Sequence, residues 1–148
     1  MVKNVNELKG FSRLGDSLLN FAYSLALSLI TGEPQGARLP DKILIESARE
    51  AGLKEALKIK HRIKRDELAD LVEAIIAIGW LKGDITLGQI VKVIAKGMDI
   101  YALSSPRLMN ERLVNNIKEL LEKIKELGVE PCLGDFQELL RRRLEASS

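Results

Sequence analysis

Leu68-Ala69-Asp70-Leu71-Val72-Glu73-Ala74-Ile75-Ile76 decides how this chain is built. After Glu73 no charged residue appears until Lys82, so residues 66–82 read as one helix, apolar nearly all round, with two carboxylates near its start. Gly83 closes it. Helix positions three apart have Cβ atoms ~5–6 Å from one another, so Asp70 and Glu73 share a face. Arg13-Leu14-Gly15-Asp16-Ser17-Leu18-Leu19 opens a second stretch of the same character, uncharged from Ser17 to Gly32. An ionised carboxylate in such surroundings loses hydration that only a cation or strong donors replace. Two carboxylates that close raise each other's pKa unless positive charge lies between them. If Asp16 comes to the same place, three carboxylates converge with an open side. That arrangement suits a hard divalent cation, most naturally Mg²⁺, bound through oxygen with several waters retained.

Each acid also has a plainer reading. Asp16, following Gly15, suits the N-cap of a helix over 16–30, its side chain accepting a backbone N–H two or three residues on. Asp70 and Glu73 suit the acidic edge of an amphipathic helix, with Asp66 and Glu67 satisfying its dipole and Arg62, Lys64 or Arg65 as structural partners.

Order and spacing add a resemblance. The Leu14–Leu19 run looks like the end of the signature segment of the ribonuclease III catalytic domain, in which Leu-Gly-Asp is followed by a small residue and an apolar helix. Leu68-Ala69-Asp70-x-x-Glu73-Ala74 is similar to that family's second acidic motif, and Ala48-Arg49-Glu50-Ala51-Gly52-Leu53 to its connecting helix. The agreement covers roughly residues 7–85. Where the usual signature has glutamates four and seven positions before the aspartate, this chain has Ser12 and Lys9. A shorter branch of the family, without a separate RNA-binding domain, also lacks these glutamates and still cleaves. An acidic or amide residue of the middle helix corresponds to the neighbourhood of Asp41-Lys42.

The resemblance implies a Mg²⁺-dependent endoribonuclease acting on double-stranded or structured RNA, with Mn²⁺ able to substitute. Asp16, Asp70 and Glu73 would then be both catalytic and metal-binding, and in-line attack would leave a 5′-phosphate and a 3′-hydroxyl. A different class of function keeps the fold without catalysis and binds RNA or a ribonucleoprotein partner. A third is a helical interaction module in which the acids only cap helices.

At 148 residues the chain is expected to form a single domain, 1–148, long enough to bury a core. Aromatics are only 4% against 46% apolar residues, so that core must be aliphatic. Net charge is +2, too near neutral to announce a polyanion partner by bulk charge; any such site must come from local clustering. One cysteine, Cys132, rules out an intramolecular disulfide and fits a reducing cytoplasm, and with His61 the only histidine a Cys/His zinc site is excluded. The first ten residues do not read as a signal peptide. The uncharged segment is shorter than the ~20 residues needed to span a membrane, and Asn20, Tyr23, Ser24 and Ser28 interrupt it. No membrane association is expected.

Strand signals are nearly absent and helical punctuation recurs, which predicts an all-α, multi-helix domain. Besides 16–30 and 66–82, helices are expected at 41–51, stopped by Gly52, at 54–58, at 86–103, at 110–127 and from Gly134-Asp135 to about 146. No α-β-β-β-α pattern of a double-stranded-RNA-binding module follows. Lys58-Ile59-Lys60-His61-Arg62-Ile63-Lys64-Arg65 is the densest basic run. Its Lys58, Lys60, Arg62, Lys64 and Arg65 suit an RNA backbone, while Ile59 and Ile63, four apart, equally suit a solvated amphipathic turn. Arg141-Arg142-Arg143 reads as cations favoured in a last helical turn.

Two helices apolar on nearly every side exceed what one small domain should conceal, which predicts a C₂ homodimer. The resemblance points the same way. Phe11, Leu14, Leu18 and Phe21 are the expected interface residues, with ordinary core packing as the alternative for any one of them.

Overall fold

The computed structural model describes residues 8–127 and 136–146. Among them the chain is helical, without strands: α1 Lys9–Thr31, α2 Asp41–Glu50, α3 Leu53–Ala56, α4 Arg65–Leu81, α5 Leu87–Ala95, α6 Ile100–Ser104, α7 Pro106–Leu127 and α8 Phe136–Glu145. The all-α architecture expected from the sequence is the one observed.

α4 is the centre. Residues 71–79 are buried without a break, and α1, α2, α7 and α8 all pack against it. Its start is fixed by Glu67, whose carboxylate accepts the N–H of Lys64 at 3.2 Å. Its apolar faces are therefore consumed inside one chain, and of the two long apolar helices only α1 leaves large side chains, Phe21 and Leu29, to solvent.

α1 begins at Lys9, seven residues before the expected start. The reason is in the packing: Phe11, Ser12 and Gly15 are buried along with Leu19, Ala22, Tyr23 and Ala26, so the 3–4 spacing of the inward face already runs upstream of Asp16. Asp16 lies two turns inside the helix and is no N-cap. At 23 residues α1 is, by length and composition, long and apolar enough to cross a membrane, unlike the shorter segment expected. In this fold it is a bundle helix, seated on α4 and α5.

The helix expected over 86–103 is two. Thr86 caps α5 through a reciprocal pair with Gln89 (3.1 and 2.9 Å), but Gly97 takes the left-handed conformation (φ +69°) and turns the chain. Asn116 of α7, buried, donates to the carbonyls of Ile94 (2.9 Å) and Lys96 (2.8 Å), satisfying the end of α5. α7 itself begins at Pro106, earlier than expected, with proline in the first-turn position where its missing N–H costs nothing. The basic triplet of α8 is divided. Arg141 and Arg142 pair with Glu138 on the surface, whereas Arg143 is buried, lies 5.3 Å over the Trp80 ring and donates to the carbonyl of Ile85 at 3.2 Å. Arg143 is an anchor for α8. Phe136 of the same helix meets Phe11 edge-on at 5.8 Å, so Phe11 is covered by its own chain. Cys132 and the expected helix start at Gly134-Asp135 lie outside the described residues.

Candidate active site

α1 and α4 touch backbone to backbone at Gly15. Gly15 lies against the main chain of Glu73 so closely that a Cβ there would overlap the Glu73 carbonyl. The glycine is helical, so its role is close approach and not an unusual φ. The next residue on α1 is Asp16, and this contact brings its carboxylate to the carboxyl of Glu73, with which it shares a hydrogen bond.

A second device leads a further acid to the same place. The chain returning from α1 runs extended along the helix, and three of its N–H groups are taken by α1 side chains. Ser28 Oγ accepts from Gln35 (2.8 Å), Ser24 Oγ from Ala37 (3.0 Å) and Asn20 Oδ1 from Leu39 (2.8 Å). Four residues of helix rise about 6 Å and two of extended chain about 6.6 Å, so the two spacings match. Asn20 closes the ladder by donating to Asp16 Oδ1 at 3.1 Å. Two residues beyond Leu39, Asp41 opens α2, where its charge is favoured by the helix dipole and adds to the field on Asp70 and Glu73.

The resulting electrostatics are severe. Glu73 is only 6% exposed, and its carboxyl is pushed from the usual 4.5 up to about 9. Burial is the largest cause, followed by the hydrogen bond with Asp16 and repulsion from Asp16, Asp41 and Asp70. At neutral pH Glu73 holds its proton. Asp70, half-buried, is also raised, first by burial and then by Asp66; Lys9 and a hydrogen bond from Ser12 pull the other way. Lys9 and Ser12, the two departures from the family signature, therefore both act on Asp70. Asp16 is partly exposed and reaches Arg38 at 3.4 Å.

Of the three expected ligands, Asp16 and Glu73 meet directly, while Asp70 stands beside them on Ser12. Among the described residues no three Asp, Glu, His or Cys side chains are drawn together as a closed metal cage. What is present is an all-oxygen set of two carboxyls in contact and two flanking, with one proton held where positive charge is wanted. That set fits a hard cation retaining much of its water. The parts missed in the sequence were Gly15 as a contact point, Asp41 as a full member, and the Asn20-Ser24-Ser28 ladder, whose only trace was a run of small polar residues four apart.

Lys58, Lys60, Arg62 and Lys64 are exposed on the loop before α4 and Arg65 on its first turn, and among the described residues their side chains have no ion-pair partner. Ile59 and Ile63 pack on the core, so the run is anchored and solvated at once. Lys58 ends α3 in the left-handed conformation (φ +57°), with Ile59 N–H donating to the Lys54 carbonyl at 3.1 Å. A lysine thus occupies a position where glycine carries no steric cost.

Of the other expected interface residues, Leu14 and Leu18 are half-buried and Phe21 is exposed. No curated protein matches the sequence. A family model described as Ribonuclease III matches residues 9–127, a span that contains Gly15, Asp16, Asp41, Asp70, Glu73 and the basic loop. The chain belongs to the ribonuclease III family.

Proposed function

We propose that this chain is a Mg²⁺-dependent endoribonuclease that hydrolyses phosphodiester bonds in double-stranded or structured RNA. Family membership supports an RNA endonuclease. One observation carries the metal reading: a buried Glu73 carboxyl, forced to keep a proton, sits in contact with Asp16 and within the field of Asp41 and Asp70. No structural purpose is served by gathering like charges there.

Asp16, Asp70 and Glu73 would hold the ion, with Asp41 adding to the negative charge that favours it. When bound, the ion supplies Lewis acidity toward water and the scissile phosphate. Glu73 must lose its proton to become a ligand, so cation uptake releases a proton at neutral pH. Ser12 orients Asp70 as an acceptor for the attacking water. Lys58, Lys60, Arg62, Lys64 and Arg65 meet the phosphate backbone. Cleavage in line leaves a 5′-phosphate and a 3′-hydroxyl.

The second strand is served by a second copy. Leu14, Leu18, Phe21, Leu25 and Leu29 follow one another at four, three, four and four residues along the outer face of α1, with Phe21 55% and Leu29 69% exposed. A C₂ pairing of this stripe would bury it and set two acid clusters along one duplex. Phe11, held by Phe136, contributes from beneath and not at the contact.

The test is long duplex RNA incubated with and without Mg²⁺. Asp16→Asn and Glu73→Gln should each abolish cleavage while keeping the helical circular dichroism and cooperative melting of the parent. Full cleavage by either variant refutes the assignment. A second reading, RNA binding without catalysis, is favoured by Lys9 beside Asp70 and by the absence of a three-ligand group among the described residues. Duplex binding with no cleavage by the parent protein in either Mg²⁺ or Mn²⁺ selects it.

A further inference from the structure

A cavity of about 320 Å³ opens where the end of α2, α3 and the loop before α4 meet. Arg49, Lys54 and Arg62 line it from three different segments, Glu55 stands among them, and Ile63 and Leu68 form its apolar floor. Among the described residues none of the three cations has an ion-pair or hydrogen-bond partner. Glu55 offsets one of these three charges, so the cavity keeps a net positive charge that a bound anion relieves. Bare phosphate would satisfy the cations but would meet Glu55 as a like charge. A ligand that carries a phosphate, hydrogen-bond donors for Glu55 and a flat apolar body for Ile63 and Leu68 satisfies all of them. The volume is at the small end for ligand sites, enough for one such unit and no more.

The cavity is also close to the acid cluster without being part of it. Asp41 and Arg49 lie at opposite ends of α2, about 12 Å apart along its axis. Leu68 precedes Asp70 by two residues on α4. An RNA strand running from the carboxylates along α2 would reach the cavity roughly three to four nucleotides on, at ~3.4 Å of rise each. A paired base cannot enter it, because its Watson–Crick edge and both faces are occupied; an unpaired one can leave the stack and do so.

We infer that this cavity binds a single unpaired nucleotide, its phosphate on Arg49, Lys54 and Arg62, its ribose or base donors on Glu55, and its ring over Ile63 and Leu68. The inference rests on the proposed RNA-cleaving function for the source of the nucleotide. It adds a substrate preference: a duplex with a bulge or an overhanging end near the cleavage point over a fully paired one.

The full chain is titrated with guanosine 5′-monophosphate and, separately, with inorganic phosphate, following the backbone and methyl signals of Arg49, Ile63 and Leu68 by NMR. The nucleotide should shift these signals and bind about tenfold more tightly than phosphate, and Arg49→Ala or Arg62→Ala should weaken it about tenfold. Both arginines are exposed and, among the described residues, their side chains have no partner, so neither change threatens the fold. In a second arm, affinity is measured without divalent metal for a duplex with a one-nucleotide bulge and its fully paired counterpart. The ratio should favour the bulge about tenfold and collapse toward one in Arg49→Ala. Absence of nucleotide shifts, or equal binding of phosphate and nucleotide, overturns the site even if duplex RNA is cleaved. Nucleotide binding that responds to Arg49→Ala upholds it even if no RNA is cleaved, with a free nucleotide as the ligand.

Discussion

α4 and α1 carry the two longest uncharged runs in the chain, yet α4 is enclosed by α1, α2, α7 and α8, while α1 buries one seam and leaves Phe21 and Leu29 to solvent. The same composition thus serves two purposes. In α4 it makes the core around which the domain folds; in α1 it makes one face of the core and one face left partly exposed. Both helices carry acids, and those acids meet where the helices cross.

The crossing itself is the sharpest place to break this relation. Gly15→Ala drives a methyl into the Glu73 carbonyl, backbone against backbone, and neither side can yield by turning a rotamer. Loss of at least ~3 kcal/mol is expected, with metal-dependent activity lost wherever the fold survives. Gly10→Ala, in the same helix with open space around its Cβ, should instead gain about 0.5–1 kcal/mol. Thermal melts of the two variants decide it; equal behaviour would show that the helices do not touch at Gly15.

A smaller effect separates core from free face. Ile76→Ala, at the enclosed centre of α4, should cost about 2–5 kcal/mol by denaturant unfolding. Phe21→Ala should cost under about 0.5 kcal/mol in the monomer but weaken self-association, seen by sedimentation at micromolar concentration. If Phe21→Ala leaves the oligomeric state untouched, the stripe on α1 is not the contact.

The third test concerns protons. Below pH 4.5 Glu73 is protonated whether the chain is folded or not. As pH rises, the unfolded chain ionises first, while the folded one keeps its proton to about pH 9. Stability without metal should therefore fall between pH 4.5 and 9 and level off above. Glutamine copies the neutral form, so Glu73→Gln should stabilise the metal-free protein at pH 7 by about 3 kcal/mol and flatten that slope. A variant less stable than its parent at pH 7 would mean that Glu73 is ionised in the fold.

Much of this was legible in the residues. The helical class, the enclosed stretch 71–79 and the pairing of Asp70 with Glu73 follow from periodicity and from where charge is missing. Asp16 misled because a Gly-Asp pair before an uncharged run looks like a helix start; the inward positions Phe11, Ser12 and Gly15 lie just upstream in a stretch diluted by Lys9, Gly10 and Arg13. The break at Gly97 was hidden because the apolar pattern continues through it and only the backbone conformation reveals the turn. The ladder from Asn20, Ser24 and Ser28 pairs residues up to nineteen apart, and no local pattern announces which strand will lie against a polar helix edge. Arg143 looked like its neighbours and differs from them only in what it touches.

The contact between Gly15 and Glu73 also acts as a fulcrum. Asp16 sits one residue, about 1.5 Å, from the pivot, while Thr31 at the far end of α1 is about 24 Å away along the axis. If α1 sways as a rigid rod about that point, an ångström of travel at the distal end moves the Asp16 Cα, ~3.8 Å from that of Gly15, by less than about 0.2 Å, inside the ~0.5 Å that a working site tolerates. The lever is long on the side that would meet another molecule and short on the side that holds the carboxylates. Strain arriving at Leu29 is geometrically demagnified before it reaches the acids.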